Sequence, residues 1–482
     1  MPANPGLQSL QMPARCRRSQ IGHSLTNCQP HDMLRPDTSM KTLNRRDFLK
    51  RSAGTVAGLA ALNGSSVLGA NEKVTVGVMG VGGRGTALLG MFAARPDVAV
   101  AYLCDADSRR SAPASKVVEA AQGRPAKFVQ DFRRMLDDKD VDAIINATPD
   151  HWHALGTILA CQAGKHVYVE KPMAHSVWEG RKMVEAARRH KRVVNVGMQS
   201  RSAPYAHAAR EFIRSGKLGD IYLVRVFNLM QHPKQKLGPE EPVPAGFDYD
   251  LWCGPAAKLP YISGRYWLNM AEYSCGPIPG DAVHQLDLAR FAMGDPAAPK
   301  TVSHTGGILA LRDGRDTPDT QFATFEYDGF TLHFEGALWS GYMKKTPFNL
   351  RDRDAFSDWT FNATKIELLG TKGFMYLGRH GDGWQAFDDD QKVIEQGYGR
   401  QGDKPHIENF LQCVRSGELP NADVEQGHQS VLLCHLANIA WRTGNRKLVF
   451  DAKSESFPDA PDANQFLKRP SYRAPWTVPE QV

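Results

Sequence analysis

The chain has 482 residues, 42% of them hydrophobic and 23% charged, which is the composition of a globular protein and at this length favours two domains. The formal net charge of +7 is concentrated in residues 1–70, which hold nine Lys or Arg and three Asp or Glu. The remaining chain is therefore nearly neutral, and without a basic stripe a nucleic-acid partner is not expected.

Residues 40–70 have the pattern of a bacterial export signal. Residues 44–50 read Asn-Arg-Arg-Asp-Phe-Leu-Lys, a twin-arginine pattern, and a weakly apolar stretch rich in Ala and Gly follows at 52–68. That stretch is too short and too mild for a membrane span. We expect a twin-arginine signal, a periplasmic location and no membrane attachment after processing. A disordered basic leader with accidental paired arginines is the alternative. Residues 1–39 are expected to be disordered, and Met40 is a candidate for the true start.

The most informative local pattern is a strand, a glycine turn and a helix. A run rich in β-branched residues at 74–78 leads into a glycine-rich turn, and a helix-compatible stretch follows at 86–94. In dinucleotide-binding folds such a turn lets the backbone and the helix N-terminus approach a pyrophosphate. The predicted cofactor-binding residues of the turn are Gly80, Gly82, Gly83, Arg84 and Gly85.

An acid at the expected distance strengthens this interpretation. A second apolar run at 98–104 ends in Asp105, about twenty residues after the last glycine. A carboxylate at this position binds the ribose hydroxyls of NAD and repels the 2′-phosphate of NADP. The sequence therefore predicts NAD, with NADP less favoured. The alternative is a glycine-rich turn in some other α/β protein.

The wider pattern predicts an α/β domain followed by an α+β domain. Strand-like and helix-like runs alternate up to about residue 199, which is typical of a doubly wound parallel sheet. We assign residues 71–200 to an NAD-binding Rossmann domain. Short alternating runs joined by glycine turns predict a largely antiparallel open sheet with helices in a second domain at 201–453. Two helices, at 406–416 and 424–443, are expected to pack on this sheet. Residues 454–482 are expected to form an extended tail.

The cysteines do not suggest a metal site or a disulfide framework. Six of them follow residue 70, none in a Cys-X-X-Cys pair or a zinc-binding spacing. We expect no metal. The six are Cys104, Cys161, Cys253, Cys275, Cys413 and Cys434.

Two short motifs follow the fourth and fifth predicted strands. Residues 147–153 read Ala-Thr-Pro-Asp-His-Trp-His, and residues 168–172 read Tyr-Val-Glu-Lys-Pro. Both lie at the carboxyl ends of parallel strands, where open α/β sheets bind ligands. Their order, after the glycine turn and before an antiparallel domain, resembles the glucose–fructose oxidoreductase, inositol dehydrogenase and rhizopine catabolism (Gfo/Idh/MocA) family. The resemblance covers about residues 73–450 and points to an exported twin-arginine branch.

The resemblance implies an NAD-dependent oxidoreductase with a catalytic lysine. Lys171 would hydrogen-bond the reacting hydroxyl and stabilise charge on its oxygen. The Lys171–Pro172 bond is a candidate cis peptide. The alternative for Lys171 is a surface lysine paired with its neighbouring glutamate. Further cofactor-binding residues implied are Thr148, Pro149, His153, Glu170 and Lys171 itself. His151 lies close by and is expected to be solvated.

A second element, at 280–287, resembles the family's Asp-X-Gly-X-His-X-X-Asp segment. It implies that His284 is the general base, and the ordinary pKa of histidine suits that role near neutral pH. A structural histidine is the alternative. Asp287 would orient the region. Gly280 stands where the family usually has an acid, and Asp281 is displaced from it by one residue. Asp281 is therefore a candidate substrate contact.

An aromatic loop precedes this element. Trp252 and Trp267 can stack on the C–H faces of a sugar, and Arg265 can bind hydroxyls or a carboxylate. Core packing or an oligomer contact is the alternative for each tryptophan. Because the family often assembles through its open sheet, a dimer or tetramer is expected.

Three functions are compatible with this sequence. The first is hydride transfer between a small carbohydrate, a sugar or polyol, and a tightly bound NAD that a second substrate recycles. The second is an NAD-dependent glycosidase that oxidises, eliminates and reduces again. The third is a non-catalytic ligand-binding protein of the same fold. An exported enzyme would have to carry its nucleotide with it, and we favour the first function.

Overall fold

The computed structural model describes residues 73–482, and the predicted leader and twin-arginine signal lie outside these described residues. Within this range no helix combines the length and the apolarity that crossing a bilayer requires. The six cysteines are all buried, and each is a free thiol.

The first sheet is parallel and has six strands in the order β3-β2-β1-β4-β5-β6. Val78 of β1 is opposite Leu103 of β2 on one side and Ile145 of β4 on the other, and the three belong to one apolar cluster. Tyr102 and Ile144, the partners of Gly77, belong to a second cluster, so the sheet is covered by apolar residues on both faces. The strand order reverses between β1 and β4, and this reversal creates a crevice at the carboxyl ends of the strands. The strands are β1 Val74–Met79, β2 Val98–Cys104, β3 Lys127–Val129, β4 Ala143–Asn146, β5 His166–Val169 and β6 Val194–Val196.

Helices connect these strands and cover both faces of the sheet, because parallel neighbours need crossover connections. The predicted doubly wound Rossmann sheet is confirmed. Short 3₁₀ turns lie at Ser108–Arg110 and Gln199–Ser202. The helices are α1 Gly83–Ala93, α2 Ser111–Gln122, α3 Arg133–Leu136, α4 Asp150–Gln162 and α5 Val177–Arg189.

The second sheet has nine strands in the order β14-β13-β12-β11-β7-β10-β9-β8-β15. Every neighbouring pair is antiparallel except β7 and β10, so the predicted largely antiparallel open sheet is confirmed. The strands are β7 Ile221–Leu229, β8 Thr301–Gly307, β9 Thr320–Glu326, β10 Thr331–Ala337, β11 Lys365–Gly370, β12 Gly373–Gly378, β13 Trp384–Phe387, β14 Val393–Gly397 and β15 Leu448–Val449.

One helix of the second domain is buried almost all round. In α8, Pro277–Ala292, every residue except Asp281 is buried, because the helix packs between β7 and α10, Val424–Arg442. Such a helix is apolar on most sides. The other helices after the first sheet are α6 Pro204–Arg214, α7 Tyr249–Cys253, α9 Asp403–Ser416 and α11 Pro461–Asn464, with a 3₁₀ turn at Trp267–Asn269.

The expected packing of the two late helices on the second sheet is wrong for α9. Ile407, Phe410 and Leu411 lie in the apolar core of the first sheet. The ring of Phe410 lies 6.3 Å from that of Phe92 in α1 and 5.8 Å from that of Tyr168 in β5. The amphipathic pattern of α9 predicts a buried face but does not specify which sheet covers it.

The segment after α11 returns to the first domain. The Trp476 ring lies 5.0 Å from that of Trp152 in α4 and 6.3 Å from that of Phe132. Arg473 Nη1 donates a 2.8 Å hydrogen bond to Asp250 Oδ1 of α7. This segment therefore connects α7 of the second domain with α4 of the first.

A buried ion pair joins the start of the second domain to α8. Arg201 Nε donates to Asp287 Oδ1 at 2.7 Å, and both side chains are 1% exposed. We expect Arg201→Met to lower the free energy of unfolding in urea by about 3–5 kcal/mol, because it leaves a buried carboxylate without its cation. Arg214→Met is the control. It breaks an exposed pair with Glu211, worth about 0–1 kcal/mol. Equal effects of the two changes would contradict this account.

Candidate functional site

The turn between β1 and α1 is compact at its two ends and open in between. Gly80 has a φ of +85°, and a Cβ there would lie 2.6 Å from the carbonyl oxygen of Ala147. A Cβ on Gly85 would lie 1.8 Å from the carbonyl oxygen of Gly80, so only glycine fits at that position. By contrast, a Cβ on Gly83 would have no described protein atom within 4 Å. The backbone of the turn is therefore accessible from outside.

Asp105 fixes this turn to the end of β2. Its Oδ2 accepts a 3.0 Å hydrogen bond from Val81 N, and its Oδ1 accepts one of 3.0 Å from Asp107 N. Burial raises the pKa of the Asp105 carboxyl, although these bonds and the nearby Arg110 oppose the rise. A carboxylate has further acceptor positions, so it can also accept from ribose hydroxyls.

Arg84 connects the glycine turn to the motif after β5. Its Nε donates to Glu170 Oε1 at 2.7 Å, and its Nη2 donates to Asp403 Oδ1 of α9 at 2.9 Å. Burial alone would raise the pKa of Glu170, but Arg84 and Lys171 more than offset this effect and lower it. No sequence signal linked Asp403 to this site, because it comes from a helix more than 200 residues away.

His153 joins the two strand-end motifs. Its Nδ1 lies 2.7 Å from the carbonyl oxygen of Pro172, and its Nε2 lies 2.8 Å from that of Thr148. The imidazole of His153 therefore holds the two loops together.

The expectation that His151 is solvated is wrong. It is 1% exposed, with its ring nitrogens against the carbonyl oxygens of Tyr273 and Trp252.

Lys171 extends from the first domain to the start of α8. The Lys171–Pro172 peptide bond is cis, as predicted. Lys171 Nζ donates a 2.8 Å hydrogen bond to the carbonyl oxygen of Gly280, the residue that replaces the family's usual acid. An ammonium group has three donors, so two remain for a ligand.

Asp281 and His284 differ in their relation to the cavity. The Asp281 carboxylate binds Arg379 Nη1 at 2.9 Å and Lys345 Nζ at 3.0 Å, and Asp281 lines the cavity. His284 is buried and is not among the described residues that line the cavity. Burial, Arg379 and Lys171 lower its pKa well below the ordinary value. The expectation of an ordinary histidine pKa at this position is therefore wrong.

An aromatic wall, formed by Trp252, Tyr261, Tyr266 and Trp267, also lines the second-domain part of the cavity. The ring of Trp252 lies 4.8 Å from that of Tyr273, which packs behind it. Arg265, also predicted to contact the substrate, points to another partner. Its guanidinium donates to the carbonyl oxygen of Pro260, and it is not among the described residues that line the cavity.

A single cavity of about 760 Å³ brings most of the predicted site together. Sequence reasoning missed Asp150, Tyr261, Tyr266 and Lys345, and it included Gly85, His284 and Arg265, which do not line the cavity in the described chain. The predicted residues that do line it are Gly80, Gly82, Gly83, Arg84, Asp105, Thr148, Pro149, His153, Glu170, Lys171, Trp252, Trp267 and Asp281.

These residues fit a dinucleotide. No side chain of the described chain caps the N-terminus of α1, so its first N–H groups and the open backbone at Gly83 can face a pyrophosphate. Asp105 would hold the adenosine ribose. Glu170 and Lys171 would lie toward the nicotinamide end.

Sequence comparison identifies the family. Residues 74–198 match the Gfo/Idh/MocA family in its part described as "Oxidoreductase family, NAD-binding Rossmann fold". Residues 210–446 match the part described as "Oxidoreductase family, C-terminal alpha/beta domain". The chain therefore belongs to the Gfo/Idh/MocA family of NAD-binding oxidoreductases. The predicted family and the predicted cofactor, NAD, are confirmed.

Individual relatives cover only part of this sequence. The chain is 37% identical over 174 residues to a glycosyl hydrolase family 109 protein of Saccharopolyspora erythraea, a match covering 30% of this chain and 38% of that protein. It is 30% identical over 190 residues to a 1,5-anhydro-D-fructose reductase of Ensifer adhaerens, a match covering 39% of this chain and 49% of that protein. The chain thus matches less than half the length of these two relatives.

Solved structures show the same fold. One is the WlbA dehydrogenase from Bordetella pertussis in complex with NADH and UDP-GlcNAcA. It is 22% identical to this chain, with a TM-score of 0.57, over 79% of this chain and 99% of that one.

The role of Asp105 can be tested by nucleotide titration. We expect Asp105→Asn to weaken NADH binding about 10- to 100-fold, because a charge-assisted hydrogen bond to the ribose contributes about 1.5–3 kcal/mol. The affinity for NADPH should fall less, so the preference for NADH over NADPH should become smaller. The measurement is fluorescence titration of nucleotide-free protein. Asp131→Asn is the control, since Asp131 binds Arg133 and does not line the cavity within the described chain. Unchanged NADH affinity in Asp105→Asn would contradict this role.

Proposed function

We propose that this protein transfers hydride between a hydroxyl-bearing carbon of a sugar or polyol and a tightly held NAD. The observation that carries the proposal is the position of Lys171. Lys171 lines a cavity to which both the glycine turn and the aromatic wall contribute. Aromatic planes pack well against the C–H faces of a carbohydrate. The names of the reductase and dehydrogenase relatives support the same class of substrate.

Lys171 would act on the substrate oxygen. Bound NAD would accept the hydride or return it. With one donor engaged by Gly280, the Lys171 ammonium would hydrogen-bond the reacting oxygen and stabilise negative charge there. In the reductive direction it would give that oxygen a proton as hydride reaches the carbon, and in the oxidative direction the hydroxyl proton would return to the Lys171 nitrogen. His284 lies one helical turn beyond Gly280, and we propose it as a positioning residue behind Lys171. At neutral pH its lowered pKa keeps the imidazole uncharged.

A second candidate is NAD-dependent glycoside hydrolysis. The 37% identity to a glycosyl hydrolase family 109 protein favours it over part of the chain. In that reaction a sugar carbon is first oxidised to a ketone, which acidifies the neighbouring C–H. Loss of that proton expels the aglycone, water adds to the resulting double bond, and the ketone is reduced again. The result is hydrolysis without net NADH.

One set of measurements separates these functions. Native mass spectrometry of the purified protein should show one dinucleotide per chain. Free sugars and polyols should then change the absorbance of the bound cofactor if the protein is a dehydrogenase. Release of nitrophenol from nitrophenyl glycosides without net NADH would favour the glycosidase instead. A bound dinucleotide with no turnover in either assay would identify a ligand-binding protein. A protein that neither carries nor takes up NAD would refute all three.

We also propose that the protein is exported to the periplasm and assembles as a dimer or tetramer. The twin-arginine pattern at 44–50 supports the first proposal, and the wide open sheet of the second domain supports the second. Cell fractionation with Arg45 and Arg46 changed to Lys tests export. Light scattering of the purified protein tests assembly.

A further inference from the structure

We infer that the substrate is a sugar derivative carrying a carboxylate, which Lys345 would bind beside Lys171. This inference rests on the proposed function and names the substrate class of the same site. It derives from the distribution of charge in the part of the cavity that belongs to the second domain.

Lys345 is contributed by the long connection between β10 and β11. Its side chain is 35% exposed, and it lines the cavity together with Asp281 and Lys171. Its ammonium lies 3.0 Å from Asp281 Oδ2. The other oxygen of Asp281 is engaged by Arg379 at 2.9 Å. One carboxylate is therefore shared by two cations.

The other charged groups near Lys345 do not offer it a free carboxylate. The buried carboxylate of Asp382 accepts hydrogen bonds from Thr346 and Asn362. Lys171 Nζ is bonded to the neutral carbonyl of Gly280. Glu170 forms its ion pair with Arg84. Asp150 also lines the cavity, but it is buried and accepts hydrogen bonds from Ser274 and Cys275. Burial raises the pKa of Asp150, which disfavours its negative form.

Burial is the largest cause that lowers the pKa of Lys345, and Arg379 and Lys171 lower it further. Asp281 acts in the opposite direction but does not reverse the shift. A neutral sugar would leave this arrangement unchanged. An anionic group would add the missing charge and form charge-assisted hydrogen bonds, which are the stronger kind.

The test compares two sugars that differ at one carbon. D-glucuronate carries a carboxylate where D-glucose carries a hydroxymethyl group. Isothermal titration of the nucleotide-loaded protein should show glucuronate binding about 10- to 100-fold more tightly than glucose. The preference should decrease with added salt. Lys345→Met should bring the affinities for the two sugars together.

Lys344→Met is the matched control. Lys344 is the neighbouring residue, is exposed, and does not line the cavity in the described chain. Lys344→Met changes the net charge by the same amount as Lys345→Met. The control should keep the full preference for glucuronate. Equal binding of both sugars by the unaltered protein, binding of neither, or an undiminished preference in Lys345→Met would overturn the inference. Preferential binding without any change in cofactor absorbance would uphold it and refute the proposed hydride transfer.

Discussion

Replacing Lys171 with methionine is expected to lower turnover about 10²- to 10³-fold while the protein keeps its nucleotide. The substitution retains most of the aliphatic length of the side chain and removes the ammonium group. Loss of one preorganised donor to a developing oxyanion has an effect of about this size in other enzymes. We expect the nucleotide to be retained because the glycine turn and Asp105 hold it, and Lys171 forms no hydrogen bond with either of them. Turnover is measured with whichever carbohydrate proves active, and bound nucleotide is measured by native mass spectrometry.

Lys116→Met serves as the control for this substitution. Lys116 is exposed on α2, so its removal changes net charge equally without reaching the cavity. Its turnover should match that of the unaltered protein. Full activity in Lys171→Met would remove this residue from the chemistry. Loss of activity together with loss of nucleotide would instead assign the effect to the predicted role of Lys171 in cofactor binding.

Gly85→Ala is expected to weaken retention of NAD about 10- to 100-fold. The added methyl group would overlap the carbonyl oxygen of Gly80, so the turn has to move away from α1. Overpacking of this kind typically costs about 1–3 kcal/mol, and here the displaced backbone is the surface that faces the pyrophosphate. The ratio of nucleotide to protein after purification gives the measurement.

The same helix offers a matched comparison. A methyl group at Gly90 would meet only Val117 Cγ1, at an ordinary contact distance of 3.9 Å. Gly90→Ala should therefore keep its nucleotide, and it should stabilise α1 slightly because alanine favours helices. If Gly85→Ala retained one nucleotide per chain, the proposed close approach at this turn would be wrong.

Local sequence signals were sufficient for the first domain. The glycine turn, the apolar strands and Asp105 are close together in sequence, and their spacing follows from the geometry of one strand–helix–strand unit. The motif containing Lys171 could be placed because parallel strands end at the same edge of the sheet. These signals predicted a doubly wound parallel sheet, and all the predicted cofactor-binding residues except Gly85 line the cavity.

Contacts between distant segments could not be predicted in this way. Asp403 reaches Arg84 only because α9 packs on the first sheet, and an amphipathic helix gives no indication of which sheet it will cover. Lys345 comes from an irregular connection with no periodic pattern. His284 was assigned by resemblance, but burial beside Arg379 and Lys171 changes its ionisation, which a motif does not encode.

The return of α9 and of the segment around Trp476 to the first domain restricts how the cleft can open. A protein whose domains share a single linker can separate them by rotation about a hinge, whereas here the polypeptide passes between them repeatedly and packs on both. Rotation would have to break the hydrogen bond of Arg473 to Asp250, which connects this segment to α7. We therefore expect a nucleotide to enter and leave this cleft through movements of individual loops rather than by separation of the domains.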